Sequence, residues 1–246
     1  MDLFLRSDRL AREGFVHGFS TRTGGVSGGP FASLNLGPTA GDDPAAVEEN
    51  HRLLAAAAGF PRADLRLVHQ VHGDRVLRLG GWEPPPAGAE ADAILATAPG
   101  IAPAVRTADC VPILLAHPRT GRVAAVHAGW RGARLGIARK TVREMAAAGT
   151  PAGELVASIG PAIGRCCYEV SADLAEDFVA SYGSRVADGR RLDLREVVRL
   201  QLTGAGIPAP AVDLVGSCTA CHPEAWFSHR RDRGRTGRHL SFIRAA

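Results

Sequence analysis

Lysine is almost absent from this chain of 246 residues: Lys140 is the only one, so the net charge of +4 is carried by arginine. With the abundant alanine and glycine this reads as compositional bias. An excess so modest accommodates an anionic small molecule without demanding a nucleic-acid partner. Long apolar runs are missing too. No stretch approaches the roughly 20 apolar residues of a membrane-spanning helix, which argues against a membrane partner. The start, Met1-Asp-Leu-Phe-Leu-Arg6, lacks the basic segment and apolar core of a secretory signal. The expected location is cytoplasmic. No Walker sequence and no Gly-x-Gly-x-x-Gly run is present, so the common nucleotide folds are unsupported. Methionine is limited to Met1 and Met145, and the nine histidines include no His-x-His pair.

What is present suffices for a core. The chain is 46% hydrophobic, enough for one large domain or two small ones. The Pro-rich loop at Trp82 to Gly88 is no convincing linker, because strand patterning resumes at once in Ala91 to Ala96. One α/β domain over residues 1–246 is therefore expected. Strands are read at Gly14 to Ser20, Leu65 to Val71, Arg75 to Leu79, three times between Ile101 and Val126, and at Glu154 to Gly160, Val212 to Gly216 and His239 to Ile243. Asp43-Pro44 starts a helix, with Asp as N-cap and Pro in the first turn. Helices are also read at Arg131 to Ala148, Ser171 to Tyr182 and Asp193 to Leu202, from apolar residues recurring at three- and four-residue steps.

Three runs carry chemistry. Val123 to Trp130 delivers His127 to the end of an apolar strand, Arg106 to Leu115 contains Cys110, and Leu67 to Gly73 contains His72. Two imidazoles and a thiol make the ligand count of a catalytic zinc site, which keeps its fourth position open. Each signal is weak alone: a strand cysteine is most often a small core hydrophobe, and a single histidine is more often hydrogen-bonded in a core. His69 competes with His72. Three positions apart on a strand they point to opposite faces, and His72, beside Gly73, is preferred.

The remaining features are secondary. The Gly-rich loop Thr21 to Gly29 carries Arg22, which can grip phosphate bidentately. Asp92 and Asp109 are candidate acids or partners of the ligands. Cys218-Thr-Ala-Cys221 looks like half a structural zinc site, but Cys166-Cys167 lacks the spacing of a partner pair, so a second metal is not expected. The basic run His229 to His239 reads as a solvated or phosphate-facing loop, since it lacks interleaved aromatics for base stacking.

Several runs together resemble the laccase-domain family: Ser20 to Ser27, Ser33 to Gly37, Gln70 to Gly73, Ala108 to Pro112, Val126 to Gly132, Ile159 to Gly164 with Cys167 to Glu169, and Cys218-Thr with Phe227 to Asp232. The motifs keep their order from residue 14 to the C-terminus. Members of this family are described as polyphenol oxidases and as purine nucleoside phosphorylases, and a peptidoglycan-editing role is attached to some bacterial ones. The resemblance implies a layered α/β/β/α sandwich with mixed sheets, similar to the catalytic domain of cytotoxic necrotizing factor. It implies that His72, Cys110 and His127 ligate zinc and that Arg22 contacts substrate or phosphate. The implied activity is phosphorolysis of adenosine, inosine and methylthioadenosine, with adenosine deamination in the same repertoire.

Two rival chemistries stay open. Copper at the same ligands would suit a laccase-like polyphenol oxidase, since copper outcompetes zinc on affinity. A blue-copper site usually adds an axial methionine, however, and Met145 falls on a core stripe. Alternatively, Cys110 is a thiolate nucleophile with His127 as base, giving a Cys-His hydrolase or amidase.

Overall fold

The computed structural model of the chain describes residues 3–38 and 41–244. A six-stranded sheet is ordered β12 (Val212–Leu214), β9 (Val156–Ile159), β7 (Val111–Ala116), β8 (Val123–Ala128), β5 (Ala93–Ala96) and β4 (Val76–Leu79). A five-stranded sheet is ordered β1 (Phe4–Leu5), β2 (Val16–Ser20), β13 (His239–Arg244), β6 (Ala102–Thr107) and β3 (Leu65–Arg66). Both are mixed: β12 runs parallel to β9 and β3 to β6, whereas β7, β8 and β9 pair antiparallel. A short hairpin, β10 (Ala187–Asp188) with β11 (Arg191–Leu192), stands apart.

The sheets stack face to face. Phe19, Val105 and Ile243 of the smaller sheet pack with Ile94, Leu114 and Ala125 of the larger one. The opposite face of the larger sheet, through Leu95, Ile113 and Val126, is covered by α4 (Ile137–Ala147), α5 (Ala172–Tyr182) and α6 (Leu194–Gly204). The opposite face of the smaller sheet packs on α2 (Pro44–Ala58) through Leu54 and Ala55. The result is the expected α/β/β/α layering. Alternate residues of β7 serve different cores, Ile113 and Leu115 towards the helices and Leu114 towards the other sheet. A strand buried on both faces reads as an unbroken apolar run.

Local chemistry accounts for most boundaries. The Asp43 side chain caps α2 by accepting from Ala45 N–H, and Gly59 ends it in the left-handed conformation, φ 80°. Asp193 caps α6 by accepting from Glu196 N–H at 3.0 Å. The helix expected over Arg131 to Ala148 is instead two. Gly136, at φ 80°, divides α3 (Trp130–Leu135) from α4, because a left-handed residue cannot continue a right-handed helix. The strand expected at Leu65 to Val71 stops after Arg66. Sequence periodicity did not reveal β1, the five-residue α1 (Asp8–Arg12) or the β10–β11 hairpin.

Candidate metal centre and its cavity

Antiparallel pairing of β7 with β8 sets Val111 opposite Ala128 and Pro112 opposite His127. Cys110, just before β7, and His127, near the end of β8, therefore share one end of the sheet. His72 arrives from a loop. Its strand pattern fails because the backbone from Val71 to Gly73 curls around a carboxylate instead of pairing with a neighbour. Asp92, fully buried, accepts the N–H groups of His72 at 2.9 Å, Gly73 at 2.7 Å and Val71 at 3.3 Å. His72 pays for that curl with a φ of 60°, a conformation found at functional sites when the surroundings enforce it.

Asp92 also accepts from His127 Nδ1 at 2.8 Å. One carboxylate thus anchors the His72 backbone and orients the His127 imidazole, fixing its proton on Nδ1 and turning its Nε2 towards Cys110. Such carboxylate–imidazole pairs are the ordinary support of metal-binding histidines. The ligand atoms of His72, Cys110 and His127 lie within 4.8 Å of one another, with Cys110 Sγ 3.9 Å from His72 Nε2. A zinc ion about 2.3 Å from sulfur and 2.0–2.1 Å from nitrogen asks for ligand atoms roughly 3.6 Å apart. Gly129 makes room: a Cβ there would stand 2.9 Å from His72 Cδ2 and 3.1 Å from Cys110 Sγ.

The electrostatics suit a soft cation. Burial opposes ionisation of Cys110, but the His127 and His72 imidazoles outweigh it and bring the thiol down to about 6. Burial equally opposes a charged His127, yet the Cys110 thiolate and the Asp92 carboxylate raise it to about 9. Burial favours the protonated Asp92, and the bonds from His127 and the loop N–H groups overcome it, holding the carboxyl below its ordinary range. Without a metal, both shifts favour a Cys110 thiolate paired with a His127 imidazolium. A thiolate is the form of cysteine that binds metal.

The trio borders a cavity of about 680 Å³, within the range of roughly 300–1,000 Å³ typical of small-molecule sites. Trp130 and Tyr168 supply aromatic walls, and Arg106, Arg230 and Arg238 supply cations. Burial lowers the Arg238 guanidinium from its ordinary range, and the charges of Cys110 and Asp109 oppose that shift. Burial and the Cys110 charge push the Tyr168 phenol up to about 12, so it is a neutral hydroxyl. His69 lines the cavity together with His72. The opposite-faces argument fails because the loop leaves strand geometry between them.

Arg22 is elsewhere. Its Nε and Nη2 donate to Ala32 O at 2.9 and 2.8 Å, its Nη1 donates to Pro223 O at 2.8 Å, and it stacks 4.7 Å from the Phe227 ring centroid. It ties two loops together and does not border the cavity. Asp109, at φ 87°, does border it. Its carboxylate accepts from Thr219 Oγ1 at 2.5 Å and Arg230 N–H at 2.7 Å. Sequence reading singled out neither Trp130, Tyr168 nor Arg106. Arg230 and Arg238 fall inside the basic run taken as solvated or phosphate-facing. Met145 is fully buried in the core under α4, so it offers no axial sulfur.

The remaining cysteines also differ from expectation. Cys166 and Cys167 occupy a turn, which lets neighbouring side chains converge where an extended strand would separate them. They meet Cys218 and Cys221, with all four sulfurs within 4.8 Å of one another. The partner pair judged missing is present.

A family profile described as multi-copper polyphenol oxidoreductase laccase matches residues 16–246. The chain belongs to this laccase-domain family. A relative from Deinococcus radiodurans, named purine nucleoside phosphorylase, is 43% identical over 97% of this chain and 91% of its own length. Among solved structures, Bacillus licheniformis YfiH superposes with a TM-score of 0.90 at 32% identity, covering 100% of this chain and 97% of its own. YlmD from Geobacillus stearothermophilus gives 0.88 at 35% identity, covering 100% and 99%. The laccase-domain layering thus matches solved relatives over the whole chain. Among the described residues, no helix is long and apolar enough to cross a membrane.

Proposed function

We propose that this laccase-domain chain is a purine nucleoside phosphorylase with one zinc ion held by His72, Cys110 and His127. The observation that carries the reading is the convergence of a cysteine, a carboxylate-oriented imidazole and a second imidazole whose backbone the same carboxylate anchors, on the wall of an arginine-rich cavity of nucleoside size. The name of the Deinococcus radiodurans relative supports the reaction class. The donor set fits zinc, and a bound zinc would supply Lewis-acid polarisation at an open coordination position.

In phosphorolysis a phosphate oxygen bonds to C1′ of the ribose as the C1′–N9 bond breaks, and the purine leaves with the bonding electrons and gains a proton. The products are ribose 1-phosphate and free base. Arg230 and Arg238 hold phosphate in this reading, in place of Arg22, whose guanidinium is committed to carbonyls. Trp130 and Tyr168 face the purine and sugar and keep water out. The cations also offset the negative charge of phosphate as ribosyl carbon becomes positive. Adenosine, inosine and methylthioadenosine are the expected substrates. Hydrolytic loss of the adenosine 6-amino group as ammonia is a side activity of the same cavity.

The test is phosphate-dependent release of hypoxanthine from inosine, followed alongside metal content. The expected result is about one equivalent of zinc at this site and loss of both zinc and activity in Cys110→Ser. The thiolate–imidazolium pair favours one rival, a cysteine hydrolase. An active protein lacking zinc at this site, and inactivated by iodoacetamide at Cys110, would establish that rival instead.

A further inference from the structure

The cysteine cluster away from the cavity calls for an explanation of its own. Cys166 Sγ is 3.5 Å and Cys167 Sγ 3.4 Å from Cys221 Sγ, and the four sulfurs including Cys218 lie within 4.8 Å. These separations exceed the disulfide bond length of about 2.05 Å. They bracket the ~3.8 Å edge of a sulfur tetrahedron drawn around zinc at about 2.3 Å. Cys166 and Cys221 are exposed, and four reduced thiols held together at a surface without a ligand would invite oxidation.

The backbone supplies a second, independent sign. The N–H of Gly164 donates to Cys218 Sγ at 3.2 Å, and the N–H groups of Ala220 and Cys221 point at the same sulfur. A Cys-x-x-Cys turn wrapped around its first sulfur is a chelating loop formed in advance. Nearby cations oppose the charge a tetrathiolate would carry. Arg195, anchored on the Val215 and Gly216 carbonyls, feels Cys218, and Arg191 donates to Cys166 O at 3.4 Å.

We propose that Cys166, Cys167, Cys218 and Cys221 form a second, structural zinc site. Binding displaces the thiol protons to solvent and leaves four sulfur–zinc bonds, with no change of oxidation state. The ion clamps a loop that lines the cavity, carrying Ile163 and Tyr168, to a second loop that braces it from behind, carrying Thr219, whose hydroxyl donates to the cavity residue Asp109. The site stands whether or not the cavity trio binds metal.

The test uses full-length protein purified with reductant, carrying His72→Ala and Cys110→Ser to disable the cavity ligands. It should take up about one cobalt(II) per chain with intense sulfur-to-cobalt charge-transfer absorption and tetrahedral d–d bands, which added zinc abolishes. Adding Cys218→Ser and Cys221→Ser should remove the bands. Should that variant fail to fold, zinc-edge X-ray absorption of the cavity-disabled protein still decides: four sulfur neighbours near ~2.3 Å are expected. Overturning results are a folded, fully reduced double variant that binds no cobalt, nitrogen or oxygen neighbours around its zinc, or a disulfide among these cysteines in protein prepared without air. Wild-type protein holding about two zinc ions supports both sites, whereas a single ion with four sulfur neighbours supports this one and removes the cavity ion.

Discussion

Replacing Asp92 with asparagine probes the orienting scheme at its narrowest point. The carboxylate is buried and presents two oxygens to four donors: Oδ1 to His72 N–H and His127 Nδ1, Oδ2 to Gly73 and Val71 N–H. An amide has one acceptor oxygen. If its nitrogen faces Gly73 and Val71, two partly buried N–H groups lose their acceptor, each at the lower end of the roughly 1–3 kcal/mol of a fully buried donor. If it faces His127, it donates to Nδ1, and the ring proton moves to Nε2, the nitrogen turned towards Cys110. Either placement harms the site. The expected loss is about 1–3 kcal/mol of metal-free stability and a roughly 10–100-fold fall in zinc affinity. Urea unfolding of metal-free protein gives the first quantity and competition with a chelating dye the second. An asparagine variant with wild-type urea midpoint and zinc affinity within about twofold would refute the claim that Asp92 orients the trio.

Gly129→Ala should cut zinc uptake at the cavity site sharply while leaving the circular dichroism spectrum unchanged, because the new methyl would crowd His72 and Cys110 and little else; unaltered uptake would contradict the packing. Arg238→Ala should raise the KM for phosphate by about tenfold or more, as expected for losing a charge-assisted contact of roughly 1.5–3 kcal/mol. Arg22→Ala should lower the melting temperature and leave that KM unchanged, and the reverse pattern would restore Arg22 as the phosphate ligand. Acid should destabilise the fold before the carboxylates titrate. Burial lowers His51 and His239 to about 4 from 6.5, so the unfolded chain binds protons first. Their stabilisation is complete above 6.5 and lost as pH falls from there to about 4, up to about 3 kcal/mol per ring. Equal urea midpoints at pH 7.5 and 5 would contradict this.

The layers and the central strands were legible because they depend on local chemistry. Asp43, Pro44 and Gly59 mark α2 at both ends, and the apolar runs of β7 and β8 can only be buried strands. Cys110 and His127 were legible for the same reason: a tight turn between adjacent antiparallel strands leaves little choice about where their ends lie. Long-range hydrogen bonding was not legible. Nothing near Val71 to Gly73 announces that Asp92, some 20 residues on, takes those N–H groups, so a strand was expected where the chain curls. The glycine between Leu135 and Ile137 was read through, although its αL conformation breaks the helix. The carbonyl partners that hold Arg22 away from the cavity were equally illegible, since a flexible glycine loop does not announce them. The cysteine cluster was missed because spacing rules assume Cys-x-x-Cys on both sides, and a turn makes adjacent cysteines equivalent to such a pair.

The place of β13 has a bearing on the order of assembly. Residues 239–244 lie between β2 and β6, bonded to both, so the middle of the smaller sheet is supplied by the last stretch of described chain. Until that segment docks, β2 and β6 each present an unsatisfied edge, and the inner face of the larger sheet stays uncovered. Such edges recruit foreign strands. The chain is thus most vulnerable to aggregation before β13 docks, and the loops carrying His72 and Cys110 gain a finished scaffold only once it has.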